Sequence, residues 1–215
     1  MLFPPGPGVT SPAMTVHPAD RRAETLVPIH PPIAGRWSPR AFDPNATLET
    51  EQVTALLEAA RWAATWGRRQ PVRFVVGLSG DDTFETLSAL LKRGNAYARS
   101  ASALILVCAD EGEDENTTRY AHVDAGAAMA TMAIEAVTRG LVTHPMAGFD
   151  VEGASSAFGI PDGVRPLAVV AVGSLAEPGE VSPEVAERDA LPRQRISLDE
   201  VSFAGHWGRP WPAAD

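Results

Sequence analysis

Val123, Ala127, Ala130, Ile134, Val137 and Leu141 recur at alternating intervals of four and three within YAHVDAGAAMATMAIEAVTRGLVTHPMAGFD, residues 120–150. That spacing places them on one face of a long helix. The opposite face carries Ala121, Ala125, Ala128, Met132 and Ala136. The pattern predicts a central core helix covered on both sides, with small side chains that admit close neighbours. Gly140 stands where a C-cap is wanted, Arg139 lies beside the negative end of the dipole, and Pro145 opposes continuation. Residues 141–148 therefore read as a rigid extended turn fixed to the helix end. Gly148 suits either an ordinary turn or a close backbone approach to a flat ligand.

Around this stretch the pattern alternates between helices and short apolar runs. Residues 50–64 form an amphipathic helix with Val53, Leu56, Leu57, Ala60 and Ala64 turned inward, followed by a strand over 74–77. Asp82 with Glu85 suggests a helix cap ahead of Phe84, Leu87, Leu90 and Leu91, and Gly94 ends that helix. Residues 103–108 and 167–172 are buried strand candidates, 110–116 an acidic loop, and 152–158 a short helix. Prolines 28, 31 and 32 make residues 29–33 extended or irregular. The order favours a single α+β domain with its sheet covered by helices. Residues 1–27, rich in proline and glycine, read as a flexible extension, and 28–215 as the domain, with Trp207 and Trp211 docking its C-terminal tail on another surface.

The composition, 45% hydrophobic and 21% charged, is that of a globular protein. Eighteen Lys and Arg against 27 Asp and Glu give a net charge of -9, which disfavours a broad nucleic-acid surface and leaves room for a local basic pocket. Cys108 is the sole cysteine and sits in an apolar run, so no intramolecular disulfide is available and a packed thiol is expected. No apolar run is long enough to span a bilayer, and the start lacks a secretory signal pattern, so the expected location is cytoplasmic. His122 and His144 form no recognisable metal set.

Candidate chemistry gathers around arginines. Arg36 and Arg40 flank Ser38, offering planar donor arrays that suit either surface salt bridges or anion recognition. Arg193 and Arg195, two residues apart, converge on one side of an extended segment, as a charged edge or an anion site. Arg68, Arg69 and Gln70 present donors at a helix–strand junction.

The ordered segments GRWSPRAF, AARWAATWGRRQPVRF, AGAAMATMAIEAVTRGLVTHPMAGFD and LPRQRISLDEV together resemble the FMN-dependent nitroreductase family, over residues 28–201. The resemblance implies an α+β fold with a nitroreductase-like mixed β-sheet covered by helices, in an intertwined homodimer with two FMN sites at its interface. Arg36, Ser38 and Arg40 match the family's Arg-x-Ser-x-Arg segment, which contributes to phosphate, ribityl and ring-edge contacts. Arg193 and Arg195 resemble the late basic pair near the phosphate. Gln70 matches a family glutamine, and Pro145, Met146 and Gly148 the turn lining the isoalloxazine ring. Two departures stand out: Arg68 occupies the usual Asn position, adding charge and removing an acceptor, and Ala147 replaces a glutamate found in one branch. Thr65 retains a hydroxyl in the same segment as Arg68.

The implied activity is ping-pong electron transfer from NADH or NADPH through FMN to nitroaromatic, quinone or related conjugated acceptors. No catalytic side chain is required, and His144 is either packed or solvent-facing, or it contacts the acceptor or donates a proton to it. The alternatives are a reductase specialised for an enone or modified flavin, and a flavin storage or sensing protein with little turnover. The expected partners are a second copy of the chain and a small-molecule acceptor, with no nucleic acid, membrane or metal.

Overall fold

The computed structural model describes residues 21–211. Residues 1–20 of the proline-rich N-terminal extension lie outside them.

Four strands build one sheet in the order β1-β2-β4-β3: β1 Val72–Leu78, β2 Ala103–Asp110, β3 Val142–Met146 and β4 Val164–Gly173. The α+β fold with helices over the sheet stands, but the sheet expected as mixed is antiparallel at each pairing in this chain. The long helix α4, Glu115–Thr138, returns the chain to the end of the sheet where β2 began. β3 therefore runs in the direction of β2, while β4 lies between them and opposes both.

β2 is the spine. Its residues alternate between two cores, Leu104, Leu106 and Cys108 toward one face and Ala103, Ile105 and Val107 toward the other. The first face is covered by α3 (Asp82–Leu90) and α5 (Val151–Ala157), through Phe84, Leu87 and Ala154, with Phe42 and Phe149 filling in. The second is covered by α2 (Thr50–Arg61) and α4, through Leu56, Ala60, Ala125, Ala128, Met132 and Ala136. Burial pushes the Cys108 thiol up to about 11, as suits a packed, unreactive cysteine.

The small-residue side of α4 packs on the sheet, and α1 covers part of the opposite side near Val137. Ala121, Asp124, Ala125, Ala128, Met132, Ala133 and Ala136 are buried, whereas Val123 is 59% exposed and Ala130 is open. The small-residue face won because alanines let α4 lie close to the sheet. Asp114 caps the helix, its carboxylate accepting from the amides of Asn116 and Thr117.

Several local expectations shift. α2 ends at Arg61 and leaves Ala64 exposed. The α3 cap is Asp81 rather than Asp82, accepting from Phe84 N at 2.6 Å. α3 stops at Leu90, and Gly94 falls within a 3-10 turn over Arg93–Ser100. Residues 29–33 are not simply extended, because Pro31 and Pro32 open the short helix α1, Pro31–Gly35, where a missing N–H costs no intrahelical bond. The turn expected over 141–148 is extended and joins the sheet as β3. Past β4 the chain forms α6, Pro183–Ala190, and α7, Leu198–Val201.

Met132 is fully buried between α4 and the sheet. Met132→Ala is expected to cost about 2–5 kcal/mol in urea unfolding with the secondary structure retained. A loss below about 1 kcal/mol would show that the interface collapses around the deletion.

Candidate cofactor site

The segment after α6 folds back across the chain that leaves α1. The Arg193 guanidinium laces these together, donating from Nη1 to the carbonyls of Arg21 and Ala34, the latter at 3.0 Å, and from Nη2 to the carbonyl of Arg36 at 2.9 Å. Arg21 returns the contact through Leu191 O at 2.6 Å and stacks 4.2 Å above the Trp37 ring. Arg36 Nη1 lies 3.4 Å from Ser38 Oγ. Arg195 is exposed and donates to the Gln194 carbonyl.

Like charges crowd here. Burial, with Arg195 nearby, holds Arg36 below the usual arginine range. Burial first, then Arg36, Arg195 and Arg21, do the same to Arg193. Among the described residues no carboxylate pairs with Arg36, Arg193 or Arg195. Clustered guanidinium groups held by carbonyls, with no internal counter-charge, are chemically suited to a phosphate.

Arg40 belongs to an adjoining group. The amides of Arg40 and Ala41 donate to Asp189 Oδ2 at 2.7 and 2.9 Å, and the Arg40 guanidinium lies 3.9 Å from Asp189 Oδ1. It also sits 5.5 Å from the Tyr97 ring, which packs 5.1 Å from His144. Since a carbonyl can only accept, His144 Nδ1 carries a proton and donates it to Pro39 O at 2.8 Å. Burial lowers the His144 pKa, opposed by that bond. Burial pushes Tyr97 up to about 12. His144 is thus a partly buried, neutral histidine packed beside the Arg36–Arg40 segment.

The third group follows α2. Trp66 N donates to both oxygens of Asp124, at 3.0 and 3.1 Å, and its indole stacks on Tyr120 at 4.8 Å and 10°. Arg69 is tied to Asp110 through Oδ1 at 3.3 Å, and Arg73 holds the Gln70 carbonyl at 2.6 Å. Arg68 is exposed, with no ion pair among the described residues. Thr65, Gln70, Leu57, Phe74 and Asp124 line a cleft of 490 Å³ between α2, β1 and α4. On β3 and beyond it, Pro145 is exposed and Met146 is in the core. The Gly148 carbonyl accepts from Lys92 N and Asn95 Nδ2, at 3.0 and 2.9 Å, and a Cβ there would lie 2.7 Å from Asn95 Nδ2. The close approach at Gly148 is thus made by Asn95.

The arginine cluster and the Arg68–Gln70 segment stay apart in one chain. A Cβ on Gly35 would touch Val137, whereas Trp66 is held at Asp124. Those positions on α4 are about 20 Å apart at 1.5 Å per residue. The structure groups Arg36, Ser38, Arg193 and Arg195, with Arg40 and His144 adjoining, and leaves Arg68 and Gln70 at the other end of the helix. Asp124, Asp189 and Tyr97 escaped the sequence reading. Asp124 was signalled by being the one acid in the alanine-rich run 121–133 of α4.

The nitroreductase family model matches residues 33–101 and 82–174. The chain belongs to the nitroreductase family. A solved structure described as an oxidoreductase containing FMN aligns with this nitroreductase-family chain at a TM-score of 0.81 and 30% identity, covering 90% of this chain and 100% of that one. A Mycolicibacterium smegmatis protein, described as an uncharacterized 15.4 kDa protein in the ask 5′ region, is 60% identical over 147 residues. The match spans 65% of this chain and 99% of that protein. YdgI of Bacillus subtilis (strain 168), provisionally named an NAD(P)H nitroreductase, is 25% identical over 186 residues, spanning 69% of this chain and 88% of its own. No described helix is long and apolar enough to cross a membrane.

The folded-state pKa of His144 lies below its ordinary value of 6.5, so the unfolded chain takes up this proton at higher pH than the folded one. Its stability contribution is present above that value and is lost as pH falls through the folded pKa. His144→Asn, which keeps a donor for Pro39 O, is expected to lose less stability than the wild type between about pH 7.5 and about pH 5.5, measured by urea midpoints. Equal losses would remove His144 from the acid response.

Proposed function

We propose that this nitroreductase-family chain is an FMN-dependent NAD(P)H oxidoreductase, acting by a ping-pong mechanism on nitroaromatic, quinone or related conjugated acceptors. The observation that carries the reading is the crowd of guanidinium groups at Arg36, Arg193 and Arg195 with no carboxylate among the described residues, a donor set that fits the FMN phosphate. The FMN-containing relative, similar over 90% of the chain, supports the same cofactor. When bound, FMN supplies the hydride chemistry, taking two electrons from the nicotinamide and passing them to the acceptor.

The chain's own residues bind, orient and tune. Arg36, Arg195 and Ser38 would hold the phosphate, and Arg193 keeps the backbone at Ala34 and Arg36 in place. Arg40 and the exposed Pro145 would lie toward the ring, with His144 neutral beside them, whereas Met146 stays in the core and Asn95 occupies the approach at Gly148. Thr65 and Gln70 would offer polar groups to the cofactor from the cleft they line, and the exposed Arg68 would add positive charge nearby. No side chain acts as a nucleophile. Residues 28–215 form the FMN-binding unit in this reading.

The unit is completed by a second copy. α4 leaves Val123 and Ala130 exposed, an apolar stripe suited to a homodimer interface. An antiparallel α4 pair sets the Arg68–Gln70 end of one protomer beside the arginine cluster of the other, bringing both sets to one cofactor. Exposed Leu191, Ile196, Leu198, Val201, Trp207 and Trp211 in the C-terminal segment add apolar surface for the same association.

Arg195→Ala removes a guanidinium that has no structural bond beyond its neighbour's carbonyl. FMN affinity measured by flavin fluorescence titration is expected to fall about 10-fold to about 150-fold, with the melting temperature unchanged. Arg193→Ala is expected to lower both. Unchanged affinity in both variants contradicts the phosphate assignment. Binding of FMN with no reduction by NADH or NADPH would favour storage or sensing.

A further inference from the structure

We propose that Asp124 is a positioning residue: together with Tyr120 it holds the turn after α2 so that Thr65 and Gln70 are presented to bound FMN. The proposal rests on the FMN reading above. Its basis is one helix gripping one residue twice. Tyr120 and Asp124 lie one turn apart on α4, and both engage Trp66, the first by stacking on the indole and the second by accepting its amide N–H with both carboxylate oxygens. Trp66 immediately follows Thr65, and Thr65, Gln70 and Asp124 line the same cleft.

Asp124 is 4% exposed and has no cationic partner among the described residues. An asparagine oxygen would accept the Trp66 amide without the cost of desolvating a charge. The α4 face around Asp124 is otherwise alanine and methionine, so the carboxylate is not part of a polar network in the core. Its geometry serves the loop. The loop in turn carries the residues that departed most from the family pattern, Arg68 among them. α4 therefore sets the orientation of this loop through Tyr120 and Asp124, independently of the distant arginine cluster near Val137.

The test combines hydrogen exchange at the Trp66 amide, which needs no cofactor, with FMN titration and the visible spectrum of the flavin-saturated protein. Asp124→Ala is expected to speed Trp66 exchange at least about tenfold, weaken FMN binding about tenfold or more, and shift the flavin band at saturation. Asp124→Asn, which keeps an acceptor, is expected to restore exchange protection, band position and affinity to within about threefold of wild type. Should Asp124→Ala fail to fold, Tyr120→Leu removes the stack alone and is expected to shift the band in the same direction. Faster Trp66 exchange with unchanged affinity and band would overturn the proposal and leave Asp124 a structural cap, while the FMN reading stands. Failure of the wild type to bind FMN overturns both.

Discussion

Packing the Ala121–Ala136 face of α4 against β2 and β4 is the constraint from which the remaining geometry follows. With side chains this small, the helix axis lies close to the sheet, and Met132 fills the residual space beside Ile105 and Val172. Because α4 is one continuous helix from Glu115 to Thr138, it fixes the separation between everything attached to its two ends. α1 and the arginine cluster join near Val137, and the loop after α2 joins at Asp124 and Tyr120. The same packing leaves the Val123 side of the helix open. A core requirement thus sets both the spacing of the polar groups and the surface through which two copies would bring them together.

The arginine cluster is held against its own repulsion by neutral acceptors, main-chain carbonyls and the Ser38 hydroxyl. Arg193 reaches three main-chain carbonyls, contacts that compensate partial burial of its charge. Each neighbouring guanidinium opposes the charge on Arg193, and burial adds to that cost. A bound dianion would offset the repulsion among them. The cluster is therefore preorganised, and its arrangement explains why Arg193 and Arg195, two residues apart in sequence, take separate duties: one ties backbone segments, the other remains exposed.

Regular periodicity made the core legible. The strand runs at 103–108 and 167–172 sit inside β2 and β4, and the helix through 123–137 is α4. Its buried face could not be chosen from spacing, because both faces are apolar and the decision lies in how closely helix and sheet approach. The short helix after Pro31 was hidden because prolines disrupt a helix interior yet suit its first turn. The site was legible only in part. The arginine pairs stand out by charge and short spacing, whereas Asp189 reaches Arg40 across 149 residues and Asp124 reaches Trp66 across 58, separations that leave no local pattern. Resemblance to the family brought the four distant segments together where periodicity had no means to do so.

In the proposed dimer, one cofactor site takes the arginine cluster from one protomer and the Thr65–Gln70 loop from the other. Subunit complementation tests it most directly. One protein would carry Arg36→Ala with Arg195→Ala, the other Thr65→Ala with Gln70→Ala, and the two would be co-expressed with different affinity tags. In a shared site each parental dimer has both sites damaged, whereas every mixed dimer regains one intact site. The account predicts that doubly purified mixed dimers recover FMN binding and nicotinamide-driven turnover that both parents lack. Mixed dimers as defective as the parents would place both groups on one chain's site and contradict it.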